Sequence, residues 1–468
     1  MKKNNFQFST SPCPLQRGTK LQLIIGIIAC LLYSGGIKAQ NPPAQWTLEA
    51  CIRYAIANNI NLKQREQEEQ AREIDLNTSQ NSRLPNLNAS LNQNFGFGRS
   101  TSREGVIVDR NSSGTTFNVG LNLPVFDGFR ITNTIEARKL NLMAATEALN
   151  KAKDDVAIGV ASYFLQALYN KEILHIATLQ VNLTKEQVTR TEALVNAGKV
   201  PMSQLYDIRA QLAKDEVTLT EAGNNVSLAL LDLAQALELE RLAVDFDIVQ
   251  PEMNDAITEN MGSVLLPDHI YDNAVAVKPQ IREQEYLLES RRKMLKVAQA
   301  DYYPQLNFNA SYGNGYYRYF GSENLTNLPF GDQLSQNAQK GLGLSLSIPI
   351  FNRFGIRNNV RQARIGIISQ ELTMENSKKT LYKEIQQAYF NAVAAQEKYG
   401  ASAKSVAAAR EAFTYAEERY ATGKSTVFEY NDSKTKYAQS LSEQAQAKYN
   451  FIFRTKILDF YNGIPITL

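Results

Sequence analysis

Leu84-Pro85-Asn86-Leu87-Asn88-Ala89-Ser90-Leu91-Asn92-Gln93-Asn94-Phe95-Gly96-Phe97-Gly98 is the stretch on which the reading of the fold turns. Leu87, Ala89, Leu91, Phe95 and Phe97 alternate with Asn88, Ser90, Asn92, Asn94, Gly96 and Gly98, a period of two that gives a strand one apolar and one polar face. The polar face carries Asn, Ser and Gly without charge. That composition suits a membrane barrel whose inner face meets water and whose outer face meets lipid; the competing reading is a soluble sheet with one buried side.

Downstream, Phe117, Val119, Leu121 and Leu123 alternate in the same way with Asn118, Gly120 and Asn122. The pattern then recurs. Leu62 to Pro85 aligns with Ile281 to Pro304 at an offset of 219 residues, pairing Leu84-Pro85-Asn86-Leu87-Asn88 with Tyr303-Pro304-Gln305-Leu306-Asn307. Further on the offset is 225, matching Leu123-Pro124-Val125-Phe126 to Ile348-Pro349-Ile350-Phe351, Asn196-Ala197-Gly198-Lys199 to Ala421-Thr422-Gly423-Lys424, and Asp207 to Asp432. The mature chain is therefore an internal twofold repeat, each half reading helix, strand, strand, long helix, turn, long helix. Four strands are expected to be the whole β inventory. Four cannot close a barrel, and open edges are not tolerated in hydrocarbon, so a barrel has to be shared between subunits.

Arg130 to Asn196 and Phe354 to Thr422 contain no proline and are rich in Ala, Gln, Glu, Leu and Lys. As helices they would reach about 100 Å, more than a compact domain needs. Glycine turns at Gly198 and Gly423 end them, and helices over 201–240 and 426–461 return as coiled-coil hairpins. Pro85, Pro124, Pro304 and Pro349 fall where helix and strand meet and read as swivels. The expected organisation is a signal peptide 1–39, a short helical segment 40–84, a strand pair 85–125, a long hairpin 126–245, a connection and helix 246–303, a strand pair 304–350, a second hairpin 351–462 and a tail 463–468.

The first 39 residues read as an export signal, with Lys2, Lys3, Arg17 and Lys20 before an apolar run from Leu21 to Tyr33 that is too short to span a bilayer. Cleavage near Ala39 takes the formal charge from +3 to about −2 and leaves Cys51 as the one cysteine. Ile27-Ile28-Ala29-Cys30 also fits a lipid-attachment signature, but Leu31, Leu32 and Tyr33 continue the apolar segment where a polar tether belongs, and the plain secretory signal is preferred. The balanced charge gives no sign of nucleic-acid binding.

Nothing points to catalysis or a cofactor. His175 and His269 have no cysteine or carboxylate at metal-ligand spacing, and Gly96-Phe97-Gly98 and Gly341-Leu342-Gly343 lie inside strands rather than before a helix. No nucleophile with a base, carboxylate pair or Walker motif is present, so no enzyme activity, metal or cofactor is expected.

The order of elements, together with Glu418-Arg419-Tyr420-Ala421-Thr422-Gly423-Lys424 through Asp432 to Gln439 and its first-half counterpart from Asn196 to Gln211, resembles the TolC-like outer-membrane factor family over nearly all the mature length. The resemblance implies an α+β membrane protein. It would be a homotrimeric channel in the cell outer membrane, with a shared twelve-stranded β-barrel, four strands per subunit, and a long α-helical barrel of hairpins in the periplasm. It implies passive conduction in a tripartite efflux or type I secretion system, outer-membrane lipid around the barrel, and a periplasmic adaptor and an inner-membrane pump as partners. By position, Glu429, Asp432 and Asp207 match the family's acidic constriction, although Gln204 stands in the first half where Glu429 stands in the second; ordinary solvated helix residues are the other reading. Gly198, Lys199, Gly423 and Lys424 match the adaptor-docking tips. A soluble periplasmic coiled-coil adaptor or structural protein is the alternative, which the paired alternating strands oppose.

Overall fold

The computed structural model describes residues 45–101, 105, 107–109, 111–239, 246–251, 265–320 and 327–467. The expected signal segment, with Cys30 and the cleavage point at Ala39, lies outside the described residues. Strands β1 (Asn86–Gly96), β4 (Asn111–Phe126), β5 (Gln305–Phe320) and β6 (Gln339–Ser347) form one antiparallel sheet in the order β1-β4-β5-β6. The register carries the alternation across all four strands. Leu87, Leu121, Ala310 and Leu342 form an apolar row, while Asn88, Gly120, Ser311 and Gly341 form the polar row beside it. On the polar face Asn122 Nδ2 donates to Asn309 Oδ1 at 2.7 Å and Asn309 Nδ2 to Ser345 Oγ at 3.2 Å.

The four strands are not the whole β content. Gly98, at φ +98°, turns the chain and its N–H donates to Asn111 Oδ1, after which β2 (Arg99–Thr101) and β3 (Ile107–Asp109) pair as a small separate sheet. The loop of the second half instead holds a short helix, Phe330–Gln336, and here side-chain amides stand in for a strand. β6 pairs with β5 only as far as Gly313. Beyond it Asn337 donates to Gly315 O at 2.7 Å, Gln333 brackets Tyr317 by accepting from its N–H at 2.9 Å and donating to its carbonyl at 2.8 Å, and Asn327 does the same for Tyr319.

The helices are α1 (Leu48–Asn58), α2 (Ile60–Asn81), α3 (Arg130–Asn196), α4 (Met202–Ala236), α5 (Pro267–Val277), α6 (Pro279–Ala300), α7 (the loop helix above), α8 (Gly355–Ala421) and α9 (Val427–Tyr461). α3 and α8 have 67 residues each, which is about 100 Å of helix. α4 folds back on α3 and α9 on α8, while α6 lies between α3 and α8. The short helical segment expected before the first strand pair is broken: the Asn59 N–H closes α1 on Ala55 O and its side chain accepts from Leu62 N to start α2. Lys278-Pro279 makes the equivalent break between α5 and α6, with proline at the first helical position where its missing N–H costs nothing. Leu48, Cys51 and Ala55 of α1 pack with Val160, Phe164 and Leu168 of α3, Leu233 of α4, and Phe451 and Ile452 of α9 in one core. A second core joins Ile270 and Ala274 to Leu381 and Ile385. Burial pushes the Cys51 thiol up to about 12.

Pro85 and Pro304 immediately precede β1 and β5. Pro124 lies inside β4, where the register slips between Pro124 and Phe126, and Pro349 lies just past β6. The turns from strand into long helix fall a few residues later, at two consecutive left-handed residues in each half: Gly128 (φ 67°) and Phe129 (φ 65°), then Arg353 (φ 56°) and Phe354 (φ 62°). A Cβ on Gly128 would meet Ala300 O at 2.6 Å, so glycine is required there.

Candidate functional site at the hairpin tips

Both long helices end in the same way. Lys199 N donates to Leu194 O and Gly198 N to Val195 O, each at 2.9 Å; Lys424 N donates to Arg419 O at 2.8 Å and Gly423 N to Tyr420 O at 3.1 Å. These paired bonds are Schellman closures, and they need the left-handed φ of Gly198 (65°) and Gly423 (72°). Both glycines and the Lys199 and Lys424 beside them are at the surface of the turns.

The returning helices start differently. Thr426 and Glu429 form a reciprocal capping box, in which Glu429 N donates to Thr426 Oγ1 at 3.2 Å and the Glu429 carboxylate accepts from Thr426 N at 3.4 Å and from the Ser425 hydroxyl. Arg419 stands 3.7 Å from the same carboxylate. The Ser425 hydrogen bond first, then the Thr426 amide and Arg419, hold Glu429 below the usual glutamate range. In the first half Pro201 occupies the cap position without a side-chain bond, and Gln204 stands where Glu429 stands. Asp432 is exposed and pairs with Lys436 one turn on at 2.8 Å. Asp207 is exposed on α4 and has no ion pair or hydrogen bond among the described residues. His175 and His269 are both exposed, and among the described residues no three metal-binding side chains converge.

Further from the tips lies a cluster that the sequence did not reveal. Lys434 of α9 is 2 % exposed and its Nζ reaches Asp215 Oδ2 of α4 at 2.7 Å and Thr184 Oγ1 of α3 at 2.5 Å. Thr184 donates to Asp215 Oδ2 at 2.6 Å and Gln211 Nε2 to Oδ1 at 2.7 Å. A buried ammonium is thereby matched by a buried carboxylate that also accepts from Thr184 and Gln211, and the two hairpins are fastened together inside one subunit. The signal was present as Lys434 and Asp215 on otherwise small or apolar helix faces, but only tertiary packing pairs residues so far apart in the chain. Toward the tip the same face of α3 stays polar: Gln187 and Thr191 are buried, and their Nε2 and Oγ1 have no partner. Arg190 reaches across to Ala421 O at 3.4 Å. Tyr430, buried and pushed up to about 12 by that burial, stacks on Tyr420 and lies against Phe413, stiffening the second hairpin.

The chain is similar in sequence and in overall fold to known proteins. TolC of Escherichia coli K12, an outer membrane protein, is 23% identical over 358 residues, covering 73% of this chain and 68% of that protein. The alkaline protease secretion protein AprF of Pseudomonas aeruginosa is 21% identical over 396 residues, covering 81% of this chain and 77% of that one. A crystal structure of CusC superposes with a TM-score of 0.73 at 16% identity, over 89% of this chain and 92% of that one. The model of the outer membrane efflux protein family matches residues 51–238 and 270–453, both halves of the repeat, and the chain belongs to that family.

Proposed function

We propose that the chain is one of three identical subunits of an outer-membrane conduit, each giving four strands to a twelve-stranded barrel and its hairpins to a periplasmic tunnel. The tips dock a periplasmic adaptor that couples the conduit to an inner-membrane pump, and efflux or protein secretion proceeds passively through it. The carrying observation is the state of the sheet edges: every residue of β1 and β6 is exposed, including Leu87, Leu91, Phe95, Leu342, Leu344 and Leu346. A sheet with two bare edges and an apolar face has no stable place in water, and in lipid only closure satisfies its backbone. A soluble adaptor would not keep such a sheet. Glu429 and Asp432, with Asp207 in the first half, form an acidic constriction at the tips, where symmetry-related copies focus negative potential.

Membrane fractionation followed by sizing of the detergent-extracted protein tests the reading. Outer-membrane material of three-chain mass is expected; a soluble single chain would overturn it.

A further inference from the structure

Where the strands meet the helices, a groove of about 960 Å³ opens between the starts of α3 and α8 and the end of α6. Lys296, Arg357, Arg361 and Arg364 line it, with Tyr302 and Tyr303, and no carboxylate does. Spacings of four and three put Arg357, Arg361 and Arg364 on one face of α8. None of Lys296, Arg361 and Arg364 has an ion pair or hydrogen bond among the described residues, and Arg357 lies only over the Phe354 ring, at 5.1 Å. Two cations a turn back on α6 are by contrast paired, Arg292 with Glu289 at 2.6 Å and Glu371 at 3.5 Å, and Lys293 with Glu136 at 3.9 Å. The N-terminus of α8 begins beside the groove and adds positive potential, whereas that of α3 is capped by Asp127, which accepts from the Ile131 N–H at 2.8 Å and lies 3.8 Å from Arg130, and the end of α6 adds negative potential. Four cations gathered without a counter-charge call for an anion. Arginine's planar fork matches phosphate oxygens, and tyrosines suit the boundary between headgroups and hydrocarbon.

We propose that this groove is a phosphate site that seats the headgroup of a phospholipid from the leaflet facing the helices. The inference rests on the membrane placement of the sheet proposed above, since that placement puts the groove at headgroup level. On α8 the opposite face carries Asn359, Gln362, Gly366 and Ser369, small or neutral like the polar face of the strands. The neutral face therefore continues the water-filled interior and the arginine face looks outward, where lipid phosphates lie. The cations fix the rim of the barrel to the membrane surface as the helical part is pulled by its partners.

The test is native mass spectrometry of the detergent-extracted assembly titrated with dioctanoyl phosphatidylglycerol, dioctanoylglycerol or inorganic phosphate. The phosphatidylglycerol is expected to bind and the dioctanoylglycerol not to. Arg361→Gln with Arg364→Gln should weaken the lipid by at least about tenfold at unchanged assembly mass, whereas Arg361→Lys with Arg364→Lys, which keeps the charge but not the fork, should bind between the parent and the glutamine variant. Equal binding of the lipid lacking phosphate, or unchanged binding by the glutamine variant, overturns the site. Inorganic phosphate binding with no bound phosphatidylglycerol overturns the lipid as its source. Assembly mass and membrane recovery are read in the same samples, so a failed conduit is distinguished from a conduit without this site.

Discussion

Lys434 illustrates how a single residue carries a tertiary contact. It is 2 % exposed against an Asp215 that is 6 % exposed, so removing one partner leaves a bare charge in a dry place. Lys434→Met is expected to cost about 3–5 kcal/mol, and Lys434→Met with Asp215→Leu to recover most of it; thermal dissociation of the extracted assembly gives the ranking, and a double variant no better than the single one would show that the pair is not coupled. At the tip, Glu429→Gln with Asp432→Asn removes both charges while glutamine keeps the capping box. Higher resting conductance in single-channel recordings is expected, and an unchanged conductance would leave Glu429 with a capping role alone. The folded Glu429 is held below its ordinary range. Its contribution to the tip is therefore fully present above the ordinary glutamate pKa and is lost only as pH falls through the lower folded value. Proton-driven loosening of the tip should appear only in that more acidic window.

Among the elements, the long helices and their hairpin turns were legible in the sequence because proline-free periodicity and two glycines mark them without reference to anything distant. The strands were legible through strict alternation. The β2-β3 pair was not, because a three-residue strand is too short for any period to show. The breaks at Asn59 and Lys278 were missed for a related reason: each is a single capping residue inside an otherwise helical pattern. Nor did sequence show the amides that finish the edge of β5, since Asn327, Gln333 and Asn337 look like ordinary loop residues until their loop is folded against Gly315, Tyr317 and Tyr319. Replacing Gln333 and Asn327 by alanine should leave the lower sheet intact and speed hydrogen exchange at the Tyr317 amide by an order of magnitude or more, about 1–2 kcal/mol of lost protection. Unchanged exchange would mean that the loop backbone, not its amides, protects that edge.

At the scale of the whole molecule, the twofold repeat and the sheet's shortage of strands carried the reading from residues to an outer-membrane channel. The candidate site was legible only in outline: glycine turns and acidic positions could be found by pattern, whereas the Lys434 clasp and the basic groove exist only once helices far apart in sequence lie side by side. The two sheet edges are also unlike each other, an eleven-residue β1 on one side and a nine-residue β6 on the other. Subunits must then join head to tail, and the ring closes only if every member offers both ends. A chain spoiled at one end, by Leu344→Pro for instance, keeps a sound β1 and would still enter a ring that it cannot complete. Co-expressed in equal amount with the parent, it should leave only about one assembly in eight free of it. Such a lesion would be inherited as a dominant one.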